Sequence, residues 1–421
     1  MNNAPEAPSA TTGAHGFAVT TRSKLSRAEA TLCELLEQSL DSVWIRFHFG
    51  DRVAEVGDPA SAPPSSRFEI RVDDPNFATR VLGAGNLGLA ESYMEGGWRF
   101  ESGTLEDLLT VFACARMDEK LRRNLKVMLR VAGYRLLHTL TGAHKNVQRH
   151  YDIGNDVYEL FLGETMAYTC GYQKTPQDTL EQLQENKFDR ICQKIRLQPG
   201  DTILDIGCGW GGLLIHAARK YGAKGRGITI CKNQASYAND RARQLGLADR
   251  VTVDYGDYKD ATGVYDKVVS VGMLEHLYQH EHPAYFKHVR KLLASDGWGL
   301  VHFMSCVDPT NEPDPFVQKH IFPGSTHPHL SSIIRQLEQN ALGTLDVENI
   351  ARHYLPTAKY WLANYRNNVH RIDRSKYDVR FTRMYEYLLC IYIAGCAAPV
   401  SALFQVLFTK DFRRNVPAYR V

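Results

Sequence analysis

The sequence predicts an α/β fold: an open, doubly wound sheet of mostly parallel strands, with a smaller α+β unit ahead of it. Three observations carry this. From about residue 146 onward, β-branched apolar runs alternate with helical patterns, as parallel βαβ units require. The first of those runs leads into a glycine-rich turn that opens a helix. The chain has 421 residues, 44% apolar and 23% charged, which suits two or three globular domain-equivalents.

Charge and cysteine usage narrow the class. Fifty Lys and Arg stand against 47 Asp and Glu, for a net charge of +3. That balance argues against a dedicated nucleic-acid binder, whose domain would be strongly basic, while leaving room for a local basic patch. Nine cysteines are scattered with no C-x-x-C pair, so no metal site is expected. An odd number in so large a chain reads as reduced thiols in a cytoplasmic protein.

The elements follow in order. Residues 1–22 form an expected disordered lead; residues 1–21 hold no Lys or Arg and no apolar stretch of the secretory kind. An α+β unit is expected over 23–106. It opens with a helix carrying Leu32, Leu35, Leu36 and Leu40, continues with strands Ser42–Phe49 and Arg67–Val72, and closes with a mostly helical stretch Val81–Gly97. A linker helix is expected over 107–145. Between Arg116 and Arg149 the chain holds nine Lys or Arg and two acidic residues, with Leu121, Leu125, Met128, Val131 and Leu136 at helical spacing. Such a helix lies on an anionic membrane surface or presents a solvated basic face. The remaining unit, 146–421, has strands at Thr202–Ile206, Arg226–Ile230, Val251–Asp254, Tyr265–Val271 and Trp298–Met304, with helices over 211–221 and 233–246. Tyr387–Thr409 carries no charge and has the length of a membrane span, but Gly395 and Pro399 interrupt it. A buried helix to about 397 and a strand near Ala402–Phe408 is the expected parse.

The sharpest motif is Asp205-Ile-Gly-Cys-Gly-Trp-Gly-Gly212. Gly207, Gly209 and Gly212 satisfy G-x-G-x-x-G, so a nicotinamide cofactor has to be weighed. A dinucleotide site expects an acidic residue about 20 positions on, at the end of the second strand. That strand ends Gly227-Ile-Thr-Ile230 and offers none. The acid sits instead at Asp205, before the first glycine, as in motif I of S-adenosylmethionine-dependent methyltransferases.

Several further runs complete a resemblance. Glu91–Trp98, Asn146–Asp156, Ala167-Tyr-Thr-Cys-Gly-Tyr172, Ser270-Val-Gly-Met-Leu-Glu-His276, Lys319-His-Ile-Phe-Pro-Gly324, Arg383-Met-Tyr385 and Phe404–Phe408 stand in the chain in that order around the glycine loop. Together they resemble the cyclopropane-fatty-acyl-phospholipid synthases, relatives of the mycolic acid cyclopropane synthases, over roughly residues 80–421. The resemblance implies a Rossmann-like class I methyltransferase sheet and a small N-terminal α+β domain that meets lipid. It implies transfer of the methyl of S-adenosylmethionine to a cis double bond of an unsaturated phospholipid acyl chain, giving a cation that a bound bicarbonate ion deprotonates as the ring closes. It also implies a cytoplasmic enzyme acting peripherally at the inner membrane face, without nucleic acid; a homodimer is left open.

Site residues follow from the same resemblance. Cys170, Glu275, His302 and Tyr354 fall at the bicarbonate positions. Glu275 would orient the anion, while His302 and Tyr354 would donate to it. Tyr168 and Thr169 would close over the methionine part of the cofactor, above Asp205, Gly207 and Gly209. Thr229 and Gln234 would meet the ribose, and Asp257 and Tyr258 the adenine, by an accepted amine hydrogen and by stacking. His150, Tyr151 and Asp152 would order the segment over the site. Taken singly, each has a plainer reading: a core histidine, a helix-capping glutamate, a packed tyrosine, a small apolar cysteine, an ordinary turn at Asp257. The chain departs from the pattern at Phe303-Met304, at Gly171-Tyr-Gln173, and at Tyr392, where relatives have cysteine; Cys390 and Cys396 are read as core filler. Those departures keep open a methyl- or methylene-branched product from the same cation; a lipid binder without catalysis is a separate alternative, against which the intact Glu275, His302 and Tyr354 speak.

Overall fold

The computed structural model describes residues 25–117, 153–307, 313–398 and 400–415. The expected lead, most of the basic segment and His150–Asp152 lie outside them.

The first helix, α1 (Arg27–Ser39), starts at a capping box in which Ser26 and Glu29 satisfy each other's backbone N–H groups. Its buried face carries Leu32, Leu35 and Leu36. A sheet follows, ordered β2 (Arg52–Gly57), β1 (Trp44–Phe49), β3 (Arg67–Val72), β4 (Trp98–Ser102). β1 pairs antiparallel with β2 and parallel with β3. Two of these strands, β2 and β4, were not expected from the sequence. β2 begins with an arginine and a valine and holds a glutamate, and β4 carries three polar residues in five, so neither presents a long apolar run. The stretch Val81–Gly97 is helical in two pieces, α2 (Phe77–Ala84) and α3 (Asn86–Met94), broken at Gly85 with φ +57°.

The next helix, α4 (Leu105–Cys114), is the start of the expected linker helix, two residues early and capped by Thr104. It stops at Ala115, and Arg116 takes φ +48°. Residues 118–152 lie outside the described residues, so the rest of that expectation is not addressed.

The large unit contains α5 (Leu180–Lys194), β5 (Thr202–Ile206), α6 (Gly212–Tyr221), β6 (Lys224–Thr229), α7 (Lys232–Gln244), β7 (Val251–Tyr255), β8 (Tyr265–Val271), α8 (His282–Leu292) and β9 (Leu293–Cys306). After these come α9 (Pro315–His320), α10 (Leu330–Gln339), β10 (Gly343–Asn349), α11 (Tyr354–Asn368), α12 (Val379–Ala397) and β11 (Ser401–Thr409). The sheet order is β10-β11-β9-β8-β5-β6-β7. β5 through β9 run parallel, and β11 is antiparallel to both its neighbours. The strand order reverses between β5 and β8, which opens a crevice beyond their carboxyl ends, where ligands of such sheets bind.

The uncharged stretch Tyr387–Thr409 resolves as expected into the end of α12 and into β11, an internal strand of this sheet. Among the described residues no helix is long and apolar enough to cross a membrane. One apolar core joins the N-terminal sheet and α1–α4 to α11 and α12: Phe68, Trp98 and Leu108 share it with Trp361, Phe381 and Leu388. At about 1.5–3 kcal/mol for each fully buried large apolar side chain, this shared core makes the two units one packed body.

Candidate active site

The crevice opens into a cavity of about 1490 Å³ that every site residue expected from the sequence lines. Its floor is the turn after β5. Gly207, Gly209 and Gly211 there have φ of +78°, +55° and +75°, a region that side chains with a Cβ rarely enter. A Cβ on Gly207 would lie 2.9 Å from Met273 Cγ, whereas one on Gly209 would meet nothing within 4 Å. Gly209 therefore opens the backbone to the cavity. Asp205, at the end of β5, is 3% exposed, and its Oδ1 has no hydrogen-bond partner. Burial pushes its carboxyl up to about 7, against the lowering influence of the Lys187 ammonium.

The far rim holds the remaining residues expected at a cofactor. Thr229 Oγ1 donates to Gln234 Oε1 at 2.7 Å, which leaves the Gln234 amide hydrogens for a ligand. Beside them Ile230, 77% exposed, is a bare apolar side chain on the cavity wall, a feature the sequence did not single out. Asp257 caps a short turn by accepting from Lys259 N at 2.9 Å, as in its plain reading, and it also lines the cavity. Tyr258 is buried edge-on against Tyr285 and beside His288, so its ring is already packed; its hydroxyl has no partner. Stacking by Tyr258, as expected from the sequence, competes with that packing.

At the other side of the loop, four chain segments converge. Glu275 sits on a 3₁₀ turn just beyond β8. Its Oε1 accepts from Met304 N at 3.3 Å, and its Oε2 is buried without a partner. No side-chain cap bond forms there, so Glu275 is not a helix cap. Burial raises its carboxyl to about 7. His302, in β9, is 1% exposed and held neutral, its pKa pushed down to about 3 by burial and then by Lys187 and Lys194. The amide of Gln405 in β11 sits 3.4 Å from His302 Nδ1. With the amide nitrogen as donor, Nδ1 accepts and the ring proton is on Nε2.

Tyr354 opens α11, stacked on Tyr392 at 5.8 Å and edge-on to Trp361. Tyr168 OH lies 3.4 Å from Tyr392 OH. Cys170 is 1% exposed, donates its thiol hydrogen to Gly171 O at 3.0 Å, and is pushed well above the usual thiol range by burial. It is therefore no nucleophile. Cys390 is core filler as expected, but Cys396 lines the cavity, because the last turn of α12 faces it.

The roof and the long arm of the cavity come from elsewhere. Phe322, Thr326 and His327 cover the site, and the segment carrying them is tied to the N-terminal unit through Glu91. Its Oε1 accepts from Lys319 Nζ at 2.6 Å and lies 2.9 Å from His320 Nε2. Two of the quoted motifs, Glu91–Trp98 and Lys319–Gly324, thus meet in space. Beyond the roof the cavity runs under the N-terminal sheet, walled by Leu36, Phe47, Ile70, Leu82, Leu108 and Phe112. Sequence reasoning did not see this arm, because its residues read as ordinary core.

Residues 138–406 match the mycolic acid cyclopropane synthetase family. The chain belongs to that family. It is 34% identical over 362 residues to the cyclopropane-fatty-acyl-phospholipid synthase of Escherichia coli K12, covering 85% of this chain and 91% of that one. It is 32% identical over 407 residues to a tuberculostearic acid methyltransferase of Mycobacterium tuberculosis, covering 93% of each. A solved mycolic acid cyclopropane synthase complexed with SAH and CTAB is 27% identical, with a TM-score of 0.58 over 63% of this chain and 97% of that one. The protein is thus an enzyme of the cyclopropane synthase family, built on the class I methyltransferase sheet.

Proposed function

We propose that the protein transfers the methyl of S-adenosylmethionine to the cis double bond of an unsaturated phospholipid acyl chain and forms a cyclopropane ring. The carbon–sulfur bond breaks, a bond forms to one alkene carbon, the neighbouring carbon becomes cationic, and loss of a methyl proton closes the ring. One observation carries this reading: a single cavity joins a glycine-loop cradle, a buried carboxylate–histidine pair and a long apolar arm. The similarity to a cyclopropane-fatty-acyl-phospholipid synthase supports the same substrate class.

The residues fit both small ligands. Asp205 Oδ1 and the open Gly209 suit the methionine end of S-adenosylmethionine, which when bound supplies the electrophilic methyl. Tyr168 and Thr169 close that end, Gln234 faces the ribose, and Asp257 with Tyr258 walls the adenine. Glu275 Oε2, His302 Nε2–H and the Tyr354 hydroxyl suit a bicarbonate ion, which when bound supplies the base. Glu275 orients it by accepting its hydrogen, and His302, held neutral, donates without adding charge. Cys170 packs beneath. The rings of Tyr168, Tyr354 and Tyr392 turn an electron-rich lining toward a developing cation. The packed roof excludes the water that would otherwise trap it.

The apolar arm receives an acyl chain, and the protein works peripherally at the inner membrane face. A second product stays in view, since one relative is a tuberculostearic acid methyltransferase: the same cation losing a proton elsewhere gives a branched chain. The test is incubation with methyl-labelled S-adenosylmethionine and vesicles of cis-monounsaturated phospholipid. Mass spectrometry and proton NMR should show a gain of one CH2 with upfield ring protons. Vinylidene protons would move the deprotonation to another carbon. Absence of label in the lipid would overturn the reading.

A further inference from the structure

We propose that Lys187 is a positioning residue of the cofactor pocket: it pins the Thr169 hydroxyl and balances the Asp205 carboxylate, so that both face the methionine end of S-adenosylmethionine. This rests on the cofactor reading above and deepens it. Nothing in the sequence motifs or the resemblance assigned Lys187 a role.

The position is anomalous for a lysine. It lies on the buried face of α5 with Leu183, Gln184, Phe188, Ile191 and Cys192, and is 1% exposed. An ammonium shut away from water costs several kcal/mol unless its hydrogens and its charge are matched. Two hydrogens are matched by neutral oxygens: Thr169 Oγ1 at 2.6 Å and Gln184 Oε1 at 2.6 Å. Gln184 in turn donates to Thr169 O at 2.9 Å. Thr169 is thereby held at its carbonyl and at its hydroxyl. Its methyl is fixed as well, because it packs where a Cβ on Gly272 would come within 2.7 Å.

This arrangement decides the direction of one hydrogen. Burial lowers Lys187 to about 7, so below that pH it is an ammonium; an ammonium only donates, and Thr169 Oγ1 then accepts from it. The hydroxyl's own hydrogen is then free to donate, and Thr169 lines the cavity. A carboxylate such as that of the cofactor's methionine part is the matching acceptor, in a bond of the stronger, charge-assisted kind. The charge is matched by Asp205, which is within electrostatic reach of Lys187 and has an unpartnered oxygen. The other titratable groups facing the pair are neutral near pH 7: Cys170 and His302 beside Lys187, Cys208 and Tyr285 beside Asp205. Up to about pH 7 Lys187 is therefore the cation that favours an ionised Asp205, and an ionised Asp205 can hold the cofactor's ammonium.

The experiment is calorimetric titration of the full-length chain with S-adenosylhomocysteine from pH 6 to 9. Lys187→Met should weaken binding about tenfold or more at pH 7, a loss of about 1.4 kcal/mol. It should also move the acid-side fall in affinity to higher pH, because Asp205 loses the cation that keeps it ionised. Thr169→Val keeps the methyl and removes the hydroxyl; it should weaken binding without moving the pH profile. Unchanged affinity in Lys187→Met, or a loss uniform with pH, would overturn the proposal, and so would unchanged affinity in Thr169→Val if Lys187→Met does not fold. Wild-type protein that binds no S-adenosylhomocysteine at any pH would instead sink the cofactor reading itself.

Discussion

The two ends of the cavity are built on opposite terms. At the carboxyl ends of β5, β8 and β9 the wall is polar and poorly satisfied: Asp205 and Glu275 each keep a buried oxygen without a partner. Under the N-terminal sheet the wall is Leu36, Phe47, Ile70 and Leu82, side chains with no polar atoms to satisfy. Buried polar groups in folded proteins are nearly always hydrogen-bonded, so the first end is held in a costly state that a ligand would relieve. The second end shows no such cost, and its only demand is for apolar contact. Chemistry and substrate capacity are thus separated along one cavity, and the two ends should respond differently to substitution.

The largest effect belongs to the polar end. Glu275→Gln should lower kcat by about 10²–10⁴, the range for a group that moves or orients a proton. Affinity for S-adenosylhomocysteine should stay within about twofold, since glutamine keeps the shape of Glu275 and the proposed cofactor contacts are made by other residues. Unaltered turnover would remove Glu275 from the chemistry. Gly209→Val should weaken cofactor binding by about 10² or more. The new side chain enters both the left-handed backbone region, at about 1–2 kcal/mol, and the open space at that position. Calorimetry that finds tight binding would show that the cofactor does not use this loop.

A smaller effect is expected at the apolar end. Ala113 on α4 lines the arm, and Ala113→Trp should partly fill it. The apparent KM for vesicle lipid should rise several-fold, about 1 kcal/mol of lost apolar contact, with cofactor affinity unchanged. If activity on long-chain and short-chain phospholipid falls equally, the arm does not hold the chain.

The same division explains what could be read from the sequence. The polar end was legible because its residues sit in short motifs at strand ends: Asp205 before three positive-φ glycines, Glu275 after β8, His302 within β9. Lys187 was not, though a signal existed, a lysine on the apolar stripe between Leu183 and Ile191. Long side chains on such a stripe usually reach back to solvent, and only the fold shows that this one does not. The apolar arm left no signal, because a cavity wall and a packed core draw on the same residues. The strands β2 and β4 were missed for a related reason. Polar and charged residues take up much of both, and pairing with β1 and β3, not local pattern, makes them strands.

The strain at the polar end has a thermodynamic consequence. Burial raises the Glu275 carboxyl from 4.5 to about 7 in the folded protein. Below pH 4.5 the group is protonated in both folded and unfolded chains and contributes nothing. Between 4.5 and about 7 the unfolded chain releases the proton while the folded chain retains it, so stability falls as pH rises. Above about 7 the full penalty is present. Glu275→Gln removes that ionisation while keeping nearly the same shape. The ligand-free variant should therefore melt a few degrees above the wild type at pH 8, about 2 °C or more, with the gap closing by pH 5. Ala113→Trp, at the apolar end, has no titrating group and should shift Tm equally at both pH values. A Glu275→Gln protein that melts no higher than wild type at pH 8 would mean that its partnerless oxygen is solvated, and the contrast between the two ends would lose its energetic basis.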